Sequence, residues 1–311
     1  MPQPDIPNTP RYWIGTAGWS YDDWKGIFYP QSMPRGETPL RWYSRFFNLV
    51  EIDATFYRVM PPTLADKWCA QVDQNSDFRF SLKLWKGLTH EQPKTLPRKE
   101  IDSIRDMCQR FADQGKLAAL LMQFPWSFRN NDTNRGQISQ LIDIFGGLPC
   151  AIEIRHNSWN NRAFFDFLTS RNCAFCNIDQ PLLSDGIPLT DICTSEFGYL
   201  RLHGRNYSNW FGNNAKASDR YDYLYSRQEL DEVEATLDSL GKQVQDLIVV
   251  ANNHYRGQAP ANALQIMSDM FHRPPVAPSC LLQNYPQVQA KPFQAKTGDS
   301  AQLDIFDQEG L

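Results

Sequence analysis

The sequence predicts one α/β domain, a (β/α)8 TIM-barrel-like fold over residues 1–273, with a largely disordered, flexible tail over 274–311. Three observations carry this reading. Short β-rich runs alternate with helical stretches, the runs number eight, and they occupy about 260 residues, the length of a closed eight-stranded barrel.

The strand candidates are 12–18, 49–56, 78–85, 117–124, 150–156, 174–179, 197–203 and 247–254. Helical periodicity marks 39–47, 63–73, 98–113, 134–145, 160–170, 226–240 and 258–271 between and after them. An open doubly wound sheet would carry a glycine fingerprint after its first strand, and GTAGWS does not match GxGxxG. Residues 204–225, rich in Gly, Asn and aromatics, form a long connection suited to an active-site lid. From Pro274 onward the chain turns polar and rich in Pro and Gln, which predicts disorder.

Composition narrows the function. The 311 residues carry 31 basic and 35 acidic side chains, a net charge of −4, so no basic stripe draws the whole protein to nucleic acid. Aromatics make up 13% with nine Trp, enough for some to line a site. The start MPQPDIPNTPRYW has no charged segment leading into an apolar one, and no apolar run is long enough to span a bilayer. A cytoplasmic protein without membrane contact is expected. Seven irregularly spaced cysteines fit reduced thiols, and the single CxxC at Cys173 and Cys176 lies inside an apolar run, where buried thiols are the simpler reading.

Strand residues alternate sides, so one set faces the helices and the other the barrel interior. In VEIDATF the apolar set Val50, Ile52 and Ala54 opposes Glu51, Asp53 and Thr55; in FSLKLW, Phe80, Leu82 and Leu84 oppose Ser81, Lys83 and Trp85. Ile152 and Ile154 oppose Glu153 and Arg155, and Leu200 and Leu202 oppose Arg201 and His203. Gln123, Asp179 and either Asn252 or Asn253 extend the pattern. Barrel interiors are usually layers of Val, Ile and Leu, and a buried ion costs several kcal/mol in desolvation. A polar site at the carboxyl ends of the strands is therefore favoured over a purely structural ion network.

Glu51, Glu153, Asp179 and His203 are chemically able to hold a divalent metal such as zinc or manganese. Lys83, Arg155 and Arg201 on the same face can instead neutralise those carboxylates, which ranks an anion site above a metal site. In that reading Lys83, Arg155 and Arg201 hold a phosphate or carboxylate, and His203 with Glu51 or Glu153 moves a proton. Gln123, Asn252 and Asn253 add polar contacts, and Trp19, Tyr57, Tyr207 and Trp210 offer surfaces for a base or sugar. His90, in the loop LTHEQP, reads as structural.

The segments IGTAGWSYDDWKGIFYP (14–30), VEIDATFYR (50–58), FRFSLKLWKGLTH (78–90), LLMQFPWSF (120–128), IEIRHNSW (152–159), YLRLHGR (199–205), YDYLYS (221–226) and VVANNHYRGQAPANA (249–263) together resemble the YecE-like family, domain of unknown function 72. The family more often reads VEIN where this chain has Asp53. The resemblance implies a TIM-barrel-like fold and by itself assigns no activity; fold analogy invites comparison with metal-dependent endonucleases and sugar isomerases.

Gln302, Leu303, Asp304, Ile305 and Phe306 resemble the bacterial sliding-clamp-binding peptide, with Leu303, Ile305 and Phe306 as apolar anchors on a flexible tether. Tethering would supply DNA at high effective concentration without a basic surface. Packing of Ile305 and Phe306 on the chain's own barrel is the competing expectation.

Three functions follow as expectations. The first is a hydrolase-like enzyme, such as a phosphoesterase, acting on a phosphorylated or nucleic-acid substrate in DNA metabolism. The second is a carbohydrate enzyme using paired carboxylates, and the third a non-enzymatic clamp-associated binding protein. A peptide of residues 298–311 is expected to bind the bacterial clamp in a calorimetric titration, and Phe306→Ala to abolish the heat; a silent wild-type peptide would remove the clamp from consideration.

Overall fold

The computed structural model describes residues 10–91, 95–182, 185–207 and 221–294. Eight parallel strands close in sequence order into a barrel: β1 (Arg11–Ala17), β2 (Leu49–Ile52), β3 (Arg79–Lys83), β4 (Leu117–Gln123), β5 (Cys150–Glu153), β6 (Ala174–Asp179), β7 (Phe197–Leu202) and β8 (Asp246–Ala251). Closure is made by β8 against β1, with Arg11 opposite Asp246 and Thr16 opposite Ala251. No described helix is long and apolar enough to cross a membrane.

The helices are α1 (Pro39–Tyr43), α2 (Ala54–Tyr57), α3 (Leu64–Gln71), α4 (Lys86–Thr89), α5 (Arg98–Asp113), α6 (Asp132–Phe145), α7 (Arg162–Ser170), α8 (Arg227–Gly241), α9 (Gln258–Met270) and α10 (Ser279–Asn284). Caps set several starts. Asn131 and Asn161 accept the Asn134 and Phe164 backbone N–H groups, and Ser226 with Glu229 forms a reciprocal capping box. The second strand ends at Ile52, four residues before the predicted end. The Thr55 hydroxyl bonds to the Ile52 carbonyl at 2.7 Å and the Lys83 carbonyl at 2.8 Å, folding ATFY into the single turn α2.

Apolar side chains divide into two clusters, as alternation requires. Val50, Ile52, Phe80, Leu82, Leu120, Met122, Ile152, Leu200 and Val249 pack outward under the helices. The interior holds Ala17, Leu49, Ala119, Leu121, Ala151, Ala174, Cys176, Ile178, Tyr199, Ile248 and Val250. So many small residues leave room above them for long polar side chains. The amino-terminal end is plugged by Trp13, whose indole bonds Asp246 at 3.1 Å and lies 4.7 Å beneath the Arg79 guanidinium. Between β1 and β2 the buried Tyr43 hydroxyl donates to Leu49 O at 2.9 Å and accepts from Thr16 N at 2.8 Å. A Cβ on Gly15 would fall 1.9 Å from the Leu49 carbonyl oxygen, so the strands approach this closely only with glycine there.

The tail expectation is corrected over 274–294. There β9 (Val276–Ala277) pairs with β10 (Lys291–Pro292), with α10 between them. Ala277, Leu281 and Val288 are buried, and the Phe293 ring lies 5.5 Å from Trp42 and 5.4 Å from Phe46, beneath Arg45. This strap holds to α1 by sparse anchors spaced too irregularly to show periodicity. Residues 295–311, including the clamp-like segment 302–306, lie outside the described residues. Because Phe293 is only partly buried, Phe293→Ala is expected to destabilise the barrel by about 1–3 kcal/mol, less than the ~3–5 of a fully enclosed ring, as measured by chemical denaturation.

Candidate functional site

Above the small interior layer, β7 contributes Tyr199, Arg201 and then His203, all fully buried. Arg201 is the centre of the arrangement. Its Nη2 donates to Glu51 Oε1 of β2 at 2.7 Å and its Nη1 donates to Glu153 Oε2 of β5, so one guanidinium joins strands on either side of the interior. Both glutamates are also fully buried. The Tyr199 hydroxyl donates to Glu51 Oε2 at 2.9 Å and lies 2.8 Å from the Ser81 hydroxyl.

The two carboxylates are not equivalent. Burial pushes Glu51 up and Arg201 opposes it, leaving Glu51 above the ordinary carboxylate range. Burial also works against ionised Glu153, but Arg201 and Arg155 outweigh it and hold Glu153 well below that range. The Arg155 Nε donates to Glu153 Oε1 at 3.0 Å.

His203 closes this buried layer. Its Nδ1 lies 2.9 Å from Asn252 Nδ2, and its Nε2 lies 3.3 Å from Glu153 Oε1, 3.4 Å from Arg155 Nη2 and 3.5 Å from Arg201 Nη1. Burial, with Arg155 and Arg201 nearby, pushes His203 down to about 3, so it is neutral at physiological pH. Neutral and sealed from solvent, His203 lacks the exposure that the acid–base role expected of it requires, and its contacts are to Glu153, Asn252 and the Arg155 and Arg201 guanidinium groups.

Nearer the mouth, Lys83 and Arg155 keep 12% and 15% of their side chains exposed. Lys83 Nζ lies 3.5 Å from Asp53 Oδ1 and 4.3 Å from the centre of the Phe56 ring. Gln123 ends β4 opposite Glu153 and donates to the Phe124 carbonyl at 2.7 Å. Tyr57 is 69% exposed on α2, directly after the β2 carboxyl end. Trp19 follows β1 and packs edge-on against Trp68 of α3 at 5.6 Å. Tyr207 is 57% exposed, its hydroxyl accepting from Leu182 N at 3.3 Å. Trp210 lies outside the described residues.

Two expected site residues belong elsewhere. Asp179 has the opposite parity to the interior Cys176 and Ile178, so its carboxylate lies behind the wall, in a bidentate pair with Arg205 at 2.9 and 2.7 Å. Arg205 continues to Glu232 of α8 at 2.8 Å, making Asp179 part of a strand-to-helix tie. Asn253 likewise points outward, donating to Tyr223 O and to Asn262 Oδ1 of α9. Asn252 is the interior member of that pair. The metal-ligand set Glu51, Glu153, Asp179 and His203 is thus not brought together, and among the described residues no group of three or more His, Cys, Asp and Glu is placed to hold a metal ion.

His90, read from the sequence as structural, stands close to the cations of the mouth. Its Nδ1 pairs with the Thr89 hydroxyl at 2.8 Å and its ring meets Phe56 edge-on at 5.0 Å. Burial, then Lys83 and Arg155, push it down to about 4, which places it in the same positive neighbourhood. It arrives from the end of α4, beyond the strand run that alternation could read.

A family model described as a protein of unknown function, DUF72, matches residues 13–283. The UPF0759 protein YunF of Bacillus subtilis is 30% identical over 268 residues, covering 82% of this chain and 93% of that protein. A DUF72 family crystal structure from Thermotoga maritima is 30% identical, with a TM-score of 0.74 over 84% of this chain and 99% of that one. Another from Enterococcus faecalis, 24% identical, has a TM-score of 0.73 over 84% and 96%. With its barrel, its span of matched residues and these relatives, the chain belongs to the DUF72 family.

Proposed function

We propose that the carboxyl-terminal mouth of the barrel binds an anionic, phosphorylated or nucleotide-like substrate and serves hydrolytic chemistry upon it. The observation that carries the reading is the pair Lys83 and Arg155. They are the cations of the inner face that reach the solvent-accessible layer, from β3 and from just beyond β5. Arg155 is backed by Glu153, and a guanidinium suits the planar, bidentate contact that phosphate and carboxylate groups favour. Tyr57 and Trp19, entering from the neighbouring β2 and β1 ends, support a planar group beside the anion. The carboxyl ends of barrel strands are where such folds carry their chemistry.

Arg201 does not act on substrate in this reading. Fully buried between two glutamates, it sets the shape of the floor. The carbohydrate alternative fares less well for the same reason: Glu51 and Glu153 are both sealed and both spent on Arg201, whereas paired-carboxylate glycosidases present their carboxyls to the sugar. The clamp-like segment 302–306 is proposed as a tether that would bring this mouth to DNA.

Titration of inorganic phosphate and a nucleoside 5′-monophosphate into the full chain tests the proposal. Lys83→Met with Arg155→Met is expected to weaken binding at least about tenfold, each lost charge-assisted contact being worth about 1.5–3 kcal/mol. Equal affinity in wild type and variant would refute it. Arg201→Ala is a poor probe, because two buried carboxylates left unpaired cost about 3–5 kcal/mol of stability.

A further inference from the structure

The strap 274–294 belongs to none of the eight βα units, and its bonds do not end on α1. They continue to the rim of the barrel where β8 meets β1. The Tyr285 hydroxyl, directly after α10, donates to the Arg256 carbonyl at 2.7 Å. The Cys280 thiol lies 3.7 Å from the Phe28 carbonyl oxygen, and Asn284 Nδ2 donates to the Gly26 carbonyl at 3.4 Å, both in the connection between β1 and α1.

Arg256 is the residue of this group whose backbone conformation is costly. It stands in the turn Tyr255–Gly257 after β8 with φ 48° and ψ 32°, a left-handed geometry that crowds any side chain larger than that of glycine. Gly257 follows at φ 79°, and a Cβ there would fall 2.8 Å from Ile27 Cγ2 and 3.9 Å from Leu281 Cδ1 of the strap. Both backbone polar groups of Arg256 are held from outside the turn. Asp23 Oδ2 accepts its N–H at 2.6 Å, and Tyr285 donates to its carbonyl. Such a conformation persists only where its surroundings over-determine it.

The same turn places His254. Trp24 Nε1 donates to the His254 carbonyl at 2.7 Å, and the imidazole lies face to face with Tyr21, ring centres 4.4 Å apart and planes 10° from parallel. Tyr21 is fixed to the end of β1, its hydroxyl donating to the Ala17 carbonyl at 2.6 Å. A contiguous set of bonds and contacts thus runs from the strap through Arg256 to the His254–Tyr21 stack on the carboxyl-terminal rim.

We propose that the strap is a conformational fastening of this rim: Tyr285 holds the turn 255–257 in its left-handed form, and release of that hold lets the turn relax and His254 leave Trp24 and Tyr21. The two states are the clamped turn described above and a relaxed turn in which the Arg256 N–H has parted from Asp23. Tyr285 is a positioning residue in this scheme, because it touches the turn and the turn carries the histidine. The rim thereby answers to a segment outside the barrel units. Neither Lys83 nor Arg155 takes part, so the fastening operates whatever the mouth binds.

Hydrogen exchange of the full chain, followed by NMR, tests the proposal. In the wild type the turn amides of Arg256 and Gly257 and the strap amides of Lys291 and Phe293 are expected to open as one unit, with one dependence on denaturant and ahead of the barrel strands. Tyr285→Phe removes a single hydroxyl. It is expected to speed exchange at 256 and 257 about three- to tenfold, the worth of one hydrogen bond, and to speed the Trp24 indole N–H by the same factor, with β3 to β5 unchanged. Adding Arg256→Gly, which takes the left-handed form without a side-chain clash, is expected to return exchange toward the wild-type rate, a recovery that lost packing alone would not show. Turn amides that open independently of the strap in the wild type overturn the fastening even if no variant folds. So does acceleration spread evenly over the barrel, or a double variant as fast as Tyr285→Phe alone. An unchanged Trp24 indole beside a faster turn would overturn the reach to His254.

Discussion

The mouth of this barrel is organised by one guanidinium. Arg201 leaves β7 and reaches Glu51 on β2 and Glu153 on β5, so three strands that are not neighbours share a single ionic contact. Such a triad is no route to stability in itself, since desolvating three charges consumes much of what their attraction returns. What it supplies is position. Glu153 then fixes Arg155 and His203, and Glu51 fixes the Tyr199 hydroxyl and through it Ser81. The alanines and Cys176 below make the geometry feasible, because branched residues there would fill the volume that the long polar chains occupy.

Much of this was legible from period-two alternation. Glu51, Ser81, Lys83, Glu153, Arg155, Arg201 and His203 stand opposite apolar residues that face the helices, so their common side could be read from the sequence. The method failed where both faces of a strand are apolar. In AFCNID the interior set is Ala174, Cys176 and Ile178, and Asp179 belongs with Phe175 on the outer side, a parity that composition alone did not resolve. The doublet Asn252–Asn253 posed the same question, and the structure divides it: one amide on the His203 imidazole, the other under α9.

Strand ends were hidden for a different reason. The run VEIDATF looks extended throughout because Val, Ile, Thr and Phe suit strands, but Thr55 finds two carbonyls and bends the chain at Asp53. That bend turns Asp53 from one more interior residue into the residue before a helical turn at the rim. His90 is likewise placed by a short turn, α4. Segment 274–294 misled through composition: its prolines and glutamines are those of a disordered chain, while its order depends on Ala277, Leu281, Val288 and Phe293 finding a surface that α1 and its neighbours had left apolar.

Charge counting alone does not lead to the anion site proposed for this mouth. Lys83, Arg155 and Arg201 are matched by Asp53, Glu51 and Glu153, and three against three leaves no net field. Accessibility breaks the tie. Arg201, Glu51 and Glu153 are sealed from a ligand, so what an incoming group meets is Lys83, Arg155 and Asp53. Two cations and one carboxylate favour an oxyanion, but only one that competes with Asp53 for Lys83. Burial of Glu51 leans the same way, since each increment of protonation there leaves more of the Arg201 charge uncompensated beneath the mouth. The preference for negative charge proposed for this mouth thus follows from which ions the barrel hides, and Arg201 determines which those are.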